Sequence, residues 1–206
     1  DVFGAHSLCC LGTGLRARLH NEVRKQVHLL ASRAMMAPTL EARVGSSAAT
    51  ANLRVDVLLR DGCEPFRGIA VDVSLVWPLQ RAFVAAAASS PGGAATAAEA
   101  AKRLKYGPAC EAASMKLVPL VADMFGAWGA SALPLLRLLA TRAGRRADMH
   151  PSEAMPDAMR KIGVAIAARV GELLVANAAV ADDAAAALLV AQLSLAEPAA
   201  APTVAA

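Results

Sequence analysis

The chain has 206 residues, of which 56% are hydrophobic and only 3% aromatic, and a net charge of +4. A mean hydropathy of +0.44 suggests a membrane protein, but no apolar run reaches the roughly 20 residues that a spanning helix needs. The longest, in the alanine-rich segment after Asp183, is broken by Gln192 and Ser194, so the composition predicts one aliphatic, helix-heavy domain with no membrane contact.

The first ten residues, DVFGAHSLCC, lack a basic stretch followed by an apolar one and are not a signal peptide. The absence of an initiator Met suggests a fragment or a processed chain. Of the cysteines Cys9, Cys10, Cys63 and Cys110, only the first two are close in sequence. That is no disulfide framework, and it points to a reducing, intracellular compartment. An isoelectric point near 9.1 is compatible with nucleic acid. The basic residues gather in three groups: Arg16, Arg18, Arg24, Lys25 and Arg33; Lys102, Arg103 and Lys105; Arg142, Arg145 and Arg146. Each group alone also fits a solvated helix face.

Over residues 15–34, Leu15, Leu19, Val23, Val27 and Leu30 recur at helical steps with arginines opposite, and Pro38 ends the helix. A short extended piece, TLEARV (39–44), and a loop over 45–52 follow. LRVDVLLR (53–60) and GIAVDVSLV (68–76) alternate with period two around an Asp-Gly turn, which predicts a β-hairpin. Pro78 stops the second strand; an alanine-rich link over 85–93 leads to a helix over 94–106. KLVPLVADMF (116–125) reads as a strand whose Pro119 implies an edge or a bulge. Helices are predicted over 130–143 and 156–179, then a low-complexity tail over 181–206, helical near 184–195 and otherwise disordered. The order αβββαβ followed by accessory helices predicts an α/β fold around a small mixed sheet.

If the hairpin pairs Arg60 with Gly68, Asp56 stands directly opposite Asp72. Opposed side chains have Cβ atoms about 4.5–5.5 Å apart, and like charges there repel. Two readings relieve this: a divalent cation between the carboxylates, or ion pairs with Arg54 and Arg60.

A strand-borne Asp, a hairpin, a second strand-borne acid and a nearby lysine resemble the PD-(D/E)xK nuclease pattern. Its usual lysine, two residues past the second acid, is replaced here by Ser74. Lys102 and Lys105, in AEAAKRLKY (98–106), are the substitutes. This displaced lysine is similar to that of the restriction-endonuclease-like segment at the C-terminus of non-LTR retrotransposon reverse-transcriptase proteins. D-x-x-G-x-H-x-L-x-C (1–10), GLRARLHNEVR (14–24), RVDVLL (54–59), AVDVSLVWPL (70–79), LVPLVADMFGAWG (117–129) and KIGVAIAARVGELLVANA (161–178) follow that family's order.

The resemblance implies a truncated zinc-knuckle remnant (1–14), a restriction-endonuclease-like core (15–125), accessory helices (126–180) and the alanine-rich tail (181–206). It further implies that Asp56 and Asp72 hold Mg²⁺ or Mn²⁺, and that Lys102 or Lys105 serves the reaction. Glu41 either completes the metal shell or pairs with Arg43. His6 and Cys10 would be the last two ligands of a zinc site, with Zn²⁺ held only in a longer parent chain; the alternative is a free Cys9–Cys10 thiol pair. Arg16, Arg24 and Lys25 would face DNA from the side of the acid pair. His20 gains interest only from the resemblance, whereas His28, His150, Trp77 and Trp128 are expected to be structural. The implied activity is nicking of target DNA in the nucleus, with DNA and an upstream reverse-transcriptase domain as partners and no small-molecule cofactor. The alternative is an inactive remnant with a nucleic-acid-binding or structural role.

Overall fold

Three short runs of alternating residues and one long leucine–valine stripe organise the molecule. The computed structural model describes residues 14–44, 54–61 and 63–195, with side chains described at 14, 17–44, 54–61, 63–175 and 179. His6, Cys9 and Cys10 lie outside the described residues, as does the Arg16 side chain.

Helix α1 (Leu15–Arg33) is followed by β1 (Thr39–Arg43), β2 (Arg54–Leu59) and β3 (Gly68–Val76). Then come the short α2 (Val84–Ser89), α3 (Gly93–Ala112), β4 (Met115–Asp123), α4 (Ala132–Arg146) and α5 (Pro151–Leu195). The first three strands form an antiparallel meander; the chain then crosses through α2 and α3, and β4 adds parallel to β3. The result is a mixed α/β fold on a four-stranded sheet of order β1-β2-β3-β4. No helix among the described residues is long and apolar enough to cross a membrane.

Period two sends alternate residues of each strand to opposite faces. On one face Val71, Val73, Leu120 and Ala122 meet the α1 stripe (Leu19, Val23, Val27), Leu136 and Leu139 of α4, and Ile162 and Ile166 of α5 in one cluster. The accessory helices therefore share the core of the sheet. On the other face α3 packs with Ala94, Ala95 and Ala98 on Val76 and Val121, joined by Ala87 of α2, and with Tyr106, Ala109 and Cys110 on Leu58 and Ala70. Each fully buried leucine contributes about 1.5–3 kcal/mol.

Several elements differ from expectation. Alanines 85–88 lie in a helical turn of α2 within the expected flexible link. Helix α3 continues past Tyr106 through Gly107 and Pro108 to Ala112. Burial of Tyr106, Ala109 and Cys110 outweighs the hydrogen bond that Pro108 forgoes. Its inward stripe runs through Ala94, Ala95 and Ala98 to Tyr106, whereas Ala97, Ala101 and Leu104 face solvent. Helix α5 starts at Pro151, not Pro156. Proline fits a first helical position, and burial of Ala154, Ala158 and Ile162 holds the turn that contains Pro156.

Strand β4 is an edge strand, as Pro119 implies. The Val121 carbonyl turns outward to accept from Gly129 N–H at 2.9 Å. Pro119, two residues earlier, shares that orientation, so its missing N–H falls on the outer side.

Candidate active site

The β2–β3 ladder pairs Leu59 with Ile69, Leu58 with Ala70 and Val57 with Val71. One step further along this register would set Asp56 against Asp72, but the paired ladder stops at Val57 and Val71. The β1–β2 ladder pairs Leu40 with Val57 and Ala42 with Val55, which sets Glu41 beside Asp56. Asp72 is in turn partnered by Pro119. One cross-sheet row thus carries Glu41, Asp56 and Asp72, and the regular ladder is interrupted along it.

Both edges of the interruption are visible in the backbone. Glu41 has φ 49°, a left-handed conformation that costs a non-glycine residue about 1–3 kcal/mol. Strand β2 changes allegiance at Asp56: Val57 and Leu59 belong to the α1-side core, Val55 and Leu58 to the α3-side core. Asp56 occupies the gap this leaves. Its Oδ2 accepts the Val73 backbone N–H at 2.7 Å, and its Oδ1 accepts from His20 Nε2 at 3.0 Å. Asp72, 4% exposed, turns the other way, beneath α3. Lys102 comes from the inward stripe of α3, and its Nζ lies 2.7 Å from Asp72 Oδ2. That contact is ionic rather than directional, because the buried Oδ2 has no aligned hydrogen bond.

The two carboxylates are therefore neighbours that lean toward helices on opposite faces, not a pair projecting from a single face. They still sense each other. Burial chiefly raises the Asp72 carboxyl above its ordinary range; Lys102 lowers it, the Asp56 charge raises it again and Tyr106 lowers it. Burial, then the charge of Asp72, pushes the Cys110 thiol up to about 11.

Each acid of the row has its own basic partner. Arg24 donates to Glu41 Oε1, His20 to Asp56, and Lys102 sits on Asp72. His20 and Arg24 are four residues apart and share one flank of α1. The partners are thus not Arg54 and Arg60 for the aspartates, nor Arg43 for Glu41, because α1 and α3 bring cations closer than neighbouring strand residues do. Lys105 does not reach the acids; its ammonium stands 4.7 Å from the Tyr106 ring centroid. Of the described members of the expected DNA-facing set, Lys25 is exposed on α1 and Arg24, engaged with Glu41, stands at the acid row.

Among the described residues no three His, Cys, Asp or Glu side chains gather closely enough to hold a metal ion. Glu41, held by Arg24 and 54% exposed at its side chain, is not part of a shell with the aspartates. The two aspartates are left as the candidate carboxylate donors for a hard cation. Mg²⁺ commonly takes one or two protein carboxylates and fills its octahedron with water and phosphate oxygens; here Lys102 Nζ contacts Asp72 Oδ2, and both oxygens of Asp56 accept hydrogen bonds.

Three roles escaped the sequence. His20 as the donor to Asp56 required knowledge of where α1 lies. Glu99 is fully buried and accepts from Ser131 N–H at 3.0 Å and Ser131 Oγ at 2.7 Å, tying α3 to the start of α4. Asp123 is buried at the end of β4. Trp77 and Trp128 are core residues, as expected. In comparisons with known proteins, the sequence matches no family model and no curated protein sequence.

Proposed function

We propose that this chain is a metal-dependent DNA endonuclease module of the restriction-endonuclease-like kind, nicking DNA by phosphodiester hydrolysis. The observation that carries the reading is Lys102 on Asp72, beside Asp56, at the break in the sheet. The lysine comes from the helix after the hairpin, while Ser74 stands in the place usual for it. Asp56 and Asp72 would hold Mg²⁺ or Mn²⁺. When bound, such an ion polarises a phosphate and lowers the pKa of an attacking water. Lys102 would supply positive charge to the non-bridging oxygens as negative charge builds on them. His20 and the Val73 N–H fix both oxygens of Asp56, so its orientation is set before substrate arrives. The parent context implied by the sequence is a retrotransposon reverse-transcriptase protein acting on nuclear DNA.

Nicking of supercoiled plasmid in Mg²⁺ or Mn²⁺ tests this. The chain should convert supercoiled to open-circular DNA, and Asp72→Ala and Lys102→Ala should each lose the activity by about 100-fold or more. Mn²⁺ titration should show one site that Asp72→Ala abolishes. A second reading, a non-catalytic nucleic-acid-binding domain, is favoured by the row's complete charge compensation. It predicts salt-sensitive DNA binding with no nicking under any metal.

A further inference from the structure

At the far end of the same sheet face lies a cleft of about 320 Å³, lined mainly by apolar atoms of Leu79, Val84, Ala87, Pro91 and Phe125 and entered by Asp123. Binding sites for small ring compounds begin near this size. Two groups in it are unusual. Phe125 is 68% exposed, a conspicuous exposure for an aromatic ring, and its ring is braced edge-on by buried Trp77 at 5.2 Å between centroids. Asp123 is 7% exposed, and its carboxylate closes the following turn by accepting N–H groups from Phe125 and Ala127, both at 2.9 Å. Both bonds fall on Oδ1, so the turn uses one oxygen and Oδ2 is not needed for it.

A braced aromatic face with apolar walls and one carboxylate oxygen suits a flat, partly apolar ring that carries an N–H donor. We propose that this cleft accepts an unpaired nucleobase with an exocyclic amino group, stacked on Phe125 with its amino group donating to Asp123 Oδ2. That the occupant is a base of the DNA strand rests on the endonuclease reading. Asp123 pairs with Val76 and Pro119 with Asp72, so cleft and Asp72 are four residues apart on one sheet face, with Ala94, Ala95 and Ala98 of α3 packed on Val76 and Val121. At 3.3 Å per residue that is about 13 Å along the sheet. Stacking alone accepts any base; the acceptor discriminates, since adenine, cytosine and guanine carry amino donors and thymine does not.

The test is equilibrium binding of short oligodeoxycytidylate and oligothymidylate of equal length to the full chain, with dCMP and dTMP as arms that separate a free nucleotide from a base within a strand. The cytosine strand should bind about tenfold more tightly than the thymine strand. Asp123→Asn keeps Oδ1 for the turn and replaces Oδ2 by a donor, so the preference should vanish or reverse while the melting temperature is unchanged. Phe125→Ala should weaken both strands by a similar factor of about ten. Equal affinity in the parent chain, or a preference untouched by Asp123→Asn, would overturn the proposal. A cytosine preference shown only by the mononucleotide would also overturn it, since it would make this a free-nucleotide site. Asp72→Ala should leave the preference intact, and a parent chain that shows the cytosine preference but nicks no DNA in Mg²⁺ or Mn²⁺ would refute the endonuclease reading alone.

Discussion

Replacing Lys102 with Met preserves most of the stem that packs beside Tyr106 and removes the charge on Asp72 Oδ2. Breaking a buried ion pair by deleting one partner costs about 3–5 kcal/mol, because the other charge is left uncompensated. Here Lys102 is 27% exposed at its side chain, and Asp72 can escape by taking up a proton at about 1.4 kcal/mol per pKa unit. The expected loss at neutral pH is therefore below that range, about 2–3 kcal/mol. Its pH dependence is the sharper test. In the parent chain the folded Asp72 carboxyl is held above its ordinary value, so the fold favours the protonated acid. That contribution is complete below the unfolded value of about 3.9 and is lost as pH rises through the folded value. Without Lys102 the folded value rises further, and the loss continues to higher pH. The stability gap between parent and Lys102→Met should thus be small in acid and open as pH rises. Urea-unfolding midpoints measured from about pH 4 to pH 8 read this directly. A gap of constant size across that range would refute the electrostatic account and leave only packing of the stem.

Other outcomes follow from single contacts. A Cβ at Gly129 would overlap the buried Glu99 carboxylate, whereas one at Gly163 meets open space. Gly129→Ala should cost about 1–3 kcal/mol and Gly163→Ala should add about 0.5–1 kcal/mol, read as melting shifts of opposite sign. Cys110, with its thiol pushed up to about 11, should resist iodoacetamide at neutral pH until the protein unfolds, and rapid native-state labelling by mass spectrometry would contradict its burial. His20→Ala removes the donor to Asp56 Oδ1 and should cost about 1 kcal/mol. Calorimetric Mn²⁺ affinity should fall further in His20→Ala than in His20→Gln, which retains a donor; equal losses would exclude a positioning role.

The hairpin was legible because β-branched residues alternate cleanly there, and the register follows from closing Arg60 against Gly68. The cross-strand relation of Asp56 and Asp72 came with it. The break at Asp56 was not legible: a change of face leaves no compositional mark when both neighbours, Val55 and Val57, are apolar on whichever face they serve. Helix α3 was harder still. Alanine occupies its inward and outward positions alike, so hydropathy could not distinguish Ala94, Ala95 and Ala98 from Ala97 and Ala101. Lys102 nevertheless lies on the inward stripe, between Ala98 and Tyr106, and the small residues beneath α3 let its ammonium reach Asp72. The partners of the acids depend on where α1 crosses the sheet, a tertiary fact that no local pattern encodes.

The acid row has a counterpart in how the sheet ends. At one margin of that row stands Glu41 with a left-handed backbone, at the other Pro119 with no N–H to offer. A sheet margin normally templates further strands, from a second copy or from an unfolded chain. Here an incoming strand meets a left-handed residue midway along β1 and a proline without an N–H midway along β4, and on β4 the segment around Ala127–Gly129 already occupies the next positions. Growth by strand addition is therefore blocked at the same level on both sides. Any association between copies of this chain should proceed through its helices and leave the four-stranded sheet discontinuous across the interface.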